Sequence, residues 1–329
     1  MIRLLFSSPG STVQMDYPLE QITKALRKEK GLLWVDFDGE PDATCEPILR
    51  DIFGFHHLAV DDALQETHVP KVDDWGSYLY IVLSALDYGE SHTAISLHVN
   101  ELDIFLGQNY VVTHHDEHIP SLDQVWEACG RDFRHLQNGP DHLLYRIVDF
   151  VVAAYMPLVE QIDKDIDVLE DQIFEKPDPK TLERLFALKR ALLVMRRVLT
   201  PQREVLNKLA RDDYRVIDPE DRVFFRDVYD HLVRLHDLNE SMRDLVGGVL
   251  DMYLSVINNR LNEVMKTLTV ITSVFMPISF IVGFFGMNFF QPAGGLMNWT
   301  GNPAFYITLA LIILLPLSMF IWMRKRTWV

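Results

Sequence analysis

At 329 residues the chain has room for two domains, and its hydrophobic fraction of 48% is that of an ordinary globular protein. With 47 acidic against 31 basic residues the formal net charge is −16, which excludes a surface built to neutralise nucleic-acid phosphates and suits one that attracts cations. Cys45 and Cys129 are too few for a disulfide framework or a thiolate metal centre and read as incidental thiols of a reducing compartment.

The N-terminus, Met1-Ile2-Arg3-Leu4-Leu5-Phe6-Ser7-Ser8, lacks the long apolar core of a signal peptide and reads as a first strand. A charged helix over Gln21–Lys30 precedes a strand at Gly31–Phe37. Further strand patterns follow at Tyr78–Leu83, Ile95–Val99, Asp103–Leu106 and Tyr110–Thr113, separated by Gly, Asn and Asp turn signals. Residues 1–140 are therefore expected to form an α/β domain with a mixed sheet. His114-His115-Asp116-Glu117-His118 offers imidazole and carboxylate, the ligands of zinc or cobalt. Its spacing is not that of a metalloprotease helix, and its place after a strand and before Ile119-Pro120 reads as a solvated loop.

From Leu143 the pattern is helical. Leu143–Phe174 and Lys180–Leu209, parted by Glu175-Lys176-Pro177-Asp178-Pro179, read as an antiparallel hairpin within residues 141–220. The acidic run Asp163–Asp171 reads as its solvated face. A third helix starts after Asp218-Pro219 and meets no clear stop before Phe285 apart from Gly247-Gly248 and Pro277. Its residues 221–286 form a stalk about 95 Å long.

The end of that stalk, Leu268–Phe285, and a second run, Ala304–Met323, are each long and apolar enough to cross a membrane. Between them Gly286–Pro303 carries no charge. Arg260 and Lys266 before the first span, and Arg324, Lys325 and Arg326 after the second, put both chain ends on the cytoplasmic side by the positive-inside rule. The loop 287–303 is then external and residues 324–329 form a basic cytoplasmic tail. Asn298-Trp299-Thr300 in that loop matches a glycosylation sequon and reads as coincidence.

One face of the stalk holds Asp251, Ser255, Asn258, Asn262, Met265, Thr269, Thr272, Met276, Ser279, Gly283 and Gly286 at alternating intervals of four and three. Lipid requires an apolar surface, so a small and polar stripe must face protein or water. Packing of two helices through small residues accounts for the part inside the span. It does not require Asn262, Asn258 and Asp251 below it, and copies of the chain around an axis would make the whole stripe a water-filled tube. Within the span the stripe has no carboxylate. A bare divalent ion there would face a large desolvation cost, whereas Mg2+ keeps its waters readily and suits a neutral polar lining. Met265, Leu268 and Met276 would form apolar constrictions able to gate by dewetting. No phosphate-cradling glycine loop or nucleophile elbow occurs, so the expectation is a transporter driven by the membrane potential rather than an enzyme.

Gly286-Met287-Asn288 at the outer end of a first span, with a second span and a basic tail behind it, resembles the signature of the CorA family of divalent-metal transporters. Asn262-Glu263-Val264-Met265-Lys266, Phe275-Met276-Pro277, Gly283–Phe289, the tail Arg324–Val329, Arg226–His231, Leu58–Asp62 and Pro70-Lys71-Val72 are similar to family segments too. The resemblance implies a homopentameric funnel in the inner membrane: an α/β cytoplasmic domain, a long-helix stalk and two C-terminal transmembrane helices, with the first lining the pore. It implies transport of hydrated Mg2+, with Co2+ and Ni2+ as passengers. Gly286, Met287 and Asn288 would form the entrance, Asp251 would sit at the cytoplasmic mouth, and Asp62 of one subunit with Asp227 of the next would bind regulatory Mg2+. Two departures stand out: the external loop lacks a carboxylate, and Ser279 stands where close relatives have threonine. A zinc transporter of the ZntB type and a membrane-anchored sensor are the competing readings.

Overall fold

The computed structural model describes residues 1–8, 13–28, 31–65, 68–88, 96–132, 136, 138–175, 178–286 and 302–326. They form two compact units, Met1–Leu250 and Asp251–Val329.

The first unit is organised by a seven-stranded sheet in the order β2-β1-β3-β7-β6-β5-β4. In chain order the strands are β1 (Ile2–Ser7), β2 (Gln14–Met15), β3 (Leu32–Asp38), β4 (Lys71–Asp74), β5 (Leu79–Tyr88), β6 (Leu97–Leu106) and β7 (Tyr110–His115). β3 and β7 pair in parallel and every other pair is antiparallel. Central strands have neighbours on both sides, so β3 (Leu-Leu-Trp-Val-Asp-Phe-Asp) and β5 are buried almost end to end. The short outer strand β4, Lys-Val-Asp-Asp, carries the charges that blunt an edge. Two separate strands were expected at Ile95–Val99 and Asp103–Leu106. They are one strand, because β5 pairs with β6 without a break from Leu79↔Leu106 to Tyr88↔Leu97.

Short helices α1 (Ile22–Leu26), α2 (Asp42–Pro47) and α3 (His57–Gln65) cover one face, where Val60, Leu49, Phe37, Tyr80 and Phe105 share a core. α4 (Pro120–Arg131) follows β7. The helical region differs from the expected two-helix hairpin. Leu143–Phe174 is divided into α5 (Pro140–Ala153) and α6 (Tyr155–Glu175). Pro157 explains the break, since its ring would collide with the carbonyl of Ala153 in a continuous helix. α7 (Pro179–Arg211) returns against α6, its first turn capped by the Asp178 carboxylate accepting from the Lys180 N–H at 3.0 Å.

The helices are pinned to the sheet where β4 runs out. The Ser84 N–H of β5, past the last β4 partner, donates to Gln202 Oε1 of α7 at 3.0 Å; Gln202 Nε2 donates to the Tyr155 hydroxyl at 2.9 Å, which in turn donates to the Ser84 carbonyl. Gln202 and Tyr155 are fully buried, so all three groups depend on one another for partners.

α8 (Arg222–Gly286) is unbroken for 65 residues, through Gly247-Gly248 and Pro277. α9 (Asn302–Lys325) is the last helix.

Candidate functional site

Among the described residues, three stretches are long and apolar enough to cross a membrane: Pro140–Glu175, Arg222–Phe284 and Tyr306–Lys325. Burial separates them. The apolar window of the first is 56% buried within its own unit, while those of α8 and α9 are 0% and 6% buried. The first is thus an amphipathic pair of core helices. The other two present Phe275, Phe280, Ile307, Leu314 and Trp322 openly, an apolar surface that water does not tolerate and a bilayer does.

The polar stripe lies on the open side of α8. Asp251, Ser255, Asn258, Asn262, Met265, Thr269, Thr272, Met276, Ser279, Gly283 and Gly286 are all exposed. Most half-buried residues of the apolar stretch, Val270, Val274, Pro277, Ile278 and Ile281, fall on the opposite side, with half-buried Ser273 at the flank. The stripe repeats every seven residues: Asp251, Asn258, Met265, Thr272, Ser279 and Gly286 in one row, Ser255, Asn262, Thr269, Met276 and Gly283 in the other. A seven-residue repeat drifts by about 20° per heptad on a straight helix, so copies meeting along it must coil left-handed. Leu268 is also exposed but sits beside both rows rather than in either.

Inside the apolar stretch the hydroxyls point their protons inward. Thr269 Oγ1 donates to the Met265 carbonyl at 2.7 Å and Thr272 Oγ1 to the Leu268 carbonyl at 2.8 Å. Off the stripe, Thr267 does the same toward Glu263 at 2.9 Å. Each hydroxyl proton is committed to the helix, so each oxygen is left to act outward through its lone pairs, as an acceptor only. A row of acceptors without formal charge matches the outward-facing hydrogens of a cation's water shell. Met287 and Asn288 lie outside the described residues, and so does most of the external loop.

The expected regulatory carboxylates have different settings. Asp62, on α3, is already paired: Lys71 Nζ on β4 lies 2.5 Å from its Oδ2, and His68 Nε2 is 3.8 Å from its Oδ1. Burial would lower the Lys71 pKa, but the hydrogen bond to Asp62 and the charges of Asp73 and Asp62 outweigh it and hold the ammonium above its ordinary range. Asp227 is exposed on α8, near Asp149 of α5. Burial raises the Asp149 carboxyl despite Arg146 and His231, and repulsion from Asp227 adds to it. Among the described residues no group of three His, Cys, Asp or Glu side chains is arranged to hold a metal ion. The Lys71 partnership has a sequence signal, in that Lys71 begins the strand that closes back beside α3, but the pairing itself is a tertiary fact.

Only the second half of the histidine run, Asp116-Glu117-His118, is the solvated loop expected. His114 and His115 close β7 and are 2% and 1% exposed, because β7 lies between β3 and β6. Carboxylates from those strands face them: His114 Nδ1 is 3.7 Å from Asp103 Oδ2, and His115 Nε2 is 3.3 Å from Asp36 Oδ1. Burial alone would raise the Asp36 pKa. His115, Arg3 and the Thr113 hydroxyl outweigh it and hold the carboxyl below its ordinary range. Only His118 is exposed, between Asp38 and Asp123. Asp163 and Asp171 do lie on a solvated helix face.

Residues 29–325 match the family of the CorA-like Mg2+ transporter protein. The chain belongs to the CorA family. The cobalt/magnesium transport protein CorA of Thermotoga maritima is 35% identical over 296 residues, 90% of this chain and 83% of that one. The solved CorA magnesium transporter of Methanocaldococcus jannaschii shares the fold, with a TM-score of 0.81 at 22% identity over 99% of this chain and 98% of that one. The zinc transport protein ZntB of Yersinia pseudotuberculosis is more distant, 25% identical over 270 residues, 82% of this chain and 79% of that one.

Proposed function

We propose that the chain is one subunit of a homopentameric, channel-like transporter that moves hydrated Mg2+, and with it Co2+ and Ni2+, across the inner membrane. Both termini are cytoplasmic, α8 and α9 cross the bilayer, and the α8 stripes of five subunits surround the path. The observation that carries this reading is the orientation of Thr269 and Thr272. Their committed protons leave outward acceptors at the depth where a dehydrated ion would be least stable. An ion that keeps its waters meets a wall able to receive their hydrogen bonds. The membrane potential supplies about 4.6 kcal/mol per divalent ion at 100 mV, enough for uptake without a chemical fuel.

Gly286, Met287 and Asn288 of each subunit receive the hydrated ion at the entrance. Because the external loop is uncharged, carbonyl and amide dipoles do the collecting. Met265, Met276 and the flanking Leu268 narrow the path with apolar rings. Asp251 draws the ion out at the cytoplasmic mouth. Regulatory Mg2+ joins Asp62 of one subunit to Asp227 of the next and favours the closed form; with −16 charges per chain, bridging cations offset the repulsion among five cytoplasmic domains.

Flux into proteoliposomes containing the purified protein, measured separately for Mg2+, Co2+, Ni2+ and Zn2+, tests the reading. Potential-driven Mg2+ and Co2+ entry is expected. Zn2+ entry without Mg2+ entry would move the protein to the zinc branch, and no entry of any ion would leave a membrane-anchored sensor.

A further inference from the structure

The soluble unit contains a polar cavity of about 290 Å3 between α3, β6 and the end of β7. Asn100, Glu101, Asp103, His114, Asp116 and Glu117 supply its polar lining, and among the described residues that line it there is no lysine or arginine. His114 is 2% exposed, and neither of its ring nitrogens has a hydrogen-bond partner. Glu101 Oε1 is also buried without one. Asp103 has one oxygen satisfied by the Tyr80 hydroxyl at 2.6 Å and keeps the other 3.7 Å from His114. Leaving a buried polar atom unpaired is costly, and native folds rarely leave several side by side without a ligand or water to receive them. Water alone would satisfy the ring, but Glu101 and Asp103, with Asp116 and Glu117 at the rim, would still lack a cation among the described lining residues. Burial raises the Glu101 carboxyl to about 7 and Asp103 above its ordinary value, which a bound cation would reverse.

We propose that this cavity binds one hydrated divalent cation per chain, a site separate from the membrane path and from Asp62 and Asp227. The side chains do not converge closely enough to strip an ion: no three His, Cys, Asp or Glu groups among the described residues form a ready ligand set. The volume instead accommodates roughly ten waters at about 30 Å3 each, room for a six-water shell. Glu101 and Asp103 accept hydrogen bonds from that shell inside. Asp116 and Glu117, both exposed, accept them at the rim. An unprotonated nitrogen of His114 accepts one more. Mg2+ and Mn2+, which prefer oxygen ligands and water, are the fitting class. His68 connects this site to α3, its backbone N–H donating to Glu101 Oε2 at 2.6 Å and its ring lying 3.8 Å from Asp62.

The test counts Mn2+ bound per chain in full-length protein in lipid nanodiscs, by electron paramagnetic resonance of the free ion. Every protein carries Asp62→Asn and Asp227→Asn, so the proposed subunit-bridging site contributes to none of them. Adding Glu101→Gln, or the rim pair Asp116→Asn with Glu117→Gln, is expected to remove one Mn2+ per chain. The rim pair is solvated and leaves the core untouched, which keeps the test valid if Glu101→Gln fails to fold. Undiminished stoichiometry in the rim variant together with an undiminished or unmeasurable Glu101→Gln overturns the proposal, whatever the protein transports.

Discussion

Thr272→Val isolates the chemistry of the stripe from its shape. Valine keeps the β-branch and volume of threonine, and the Leu268 carbonyl that received the hydroxyl proton at 2.8 Å still has its helical N–H partner. What disappears is one outward acceptor per subunit, or five in the proposed ring. Each contact trades against bulk water, so its net worth falls at the low end of a hydrogen bond, about 0.5 kcal/mol. Five together give about 2.5 kcal/mol, a slowing of roughly 50- to 100-fold. Mg2+ influx into proteoliposomes at fixed potential reads this directly. Thr272→Ser restores the acceptor and should stay within about threefold of wild type. Thr267→Val removes the same kind of helix-bound hydroxyl off the stripe and should leave flux unchanged. Wild-type flux in Thr272→Val, or equal slowing by Thr267→Val, would show that the hydroxyls are packing elements and not part of the path.

Asn288→Ala is expected to abolish Mg2+ influx while the oligomer still assembles, as size-exclusion chromatography would report; near-normal influx in assembled protein removes Asn288 from the mechanism. Lys71→Met frees the Asp62 carboxylate from its internal counter-ion, so the Mg2+ concentration giving half-maximal protection from protease should fall several-fold, and a rise would contradict competition between lysine and metal. Asp141 is 3% exposed, and burial, with Asp221 and Asp218 adding to it, pushes its carboxyl up to about 6 against accepted hydrogen bonds from Asp218 and His142. A pKa raised on folding stabilises at low pH, and that contribution is lost as pH rises through about 6. Asp141→Asn should therefore raise the unfolding free energy at pH 8, by about 3 kcal/mol at most, and change it little at pH 4; an equal effect at both pH values in denaturant melts argues that folding does not raise the Asp141 pKa.

Helices were legible in the sequence where local pattern decides them. α8 has no breaker strong enough to stop it and a periodic apolar face, so its limits follow from composition. The break at Ala154 is also local, carried by Pro157, but the apolar periodicity on either side conceals it. β4 and the centre of β6 are another matter. Lys71–Asp74 and Asn100-Glu101 look like turns by residue type and become strand only because β5 supplies the ladder. The same holds for the candidate sites. The stripe is a one-helix pattern and could be read directly. The burial of His114 and His115 depends on β7 lying between β3 and β6, and the cavity that Glu101 shares with His114 and Asp103 depends on the same neighbours.

The length of α8 has a mechanical consequence. Within the second unit it runs from Asp251 to Gly286, 36 residues or about 54 Å at about 1.5 Å each. Tilting that rod by about 3° around one end carries the other through about 3 Å, the width of a water molecule. In the proposed pentamer, a lever of that proportion would need no large event at one end to change the bore at the other.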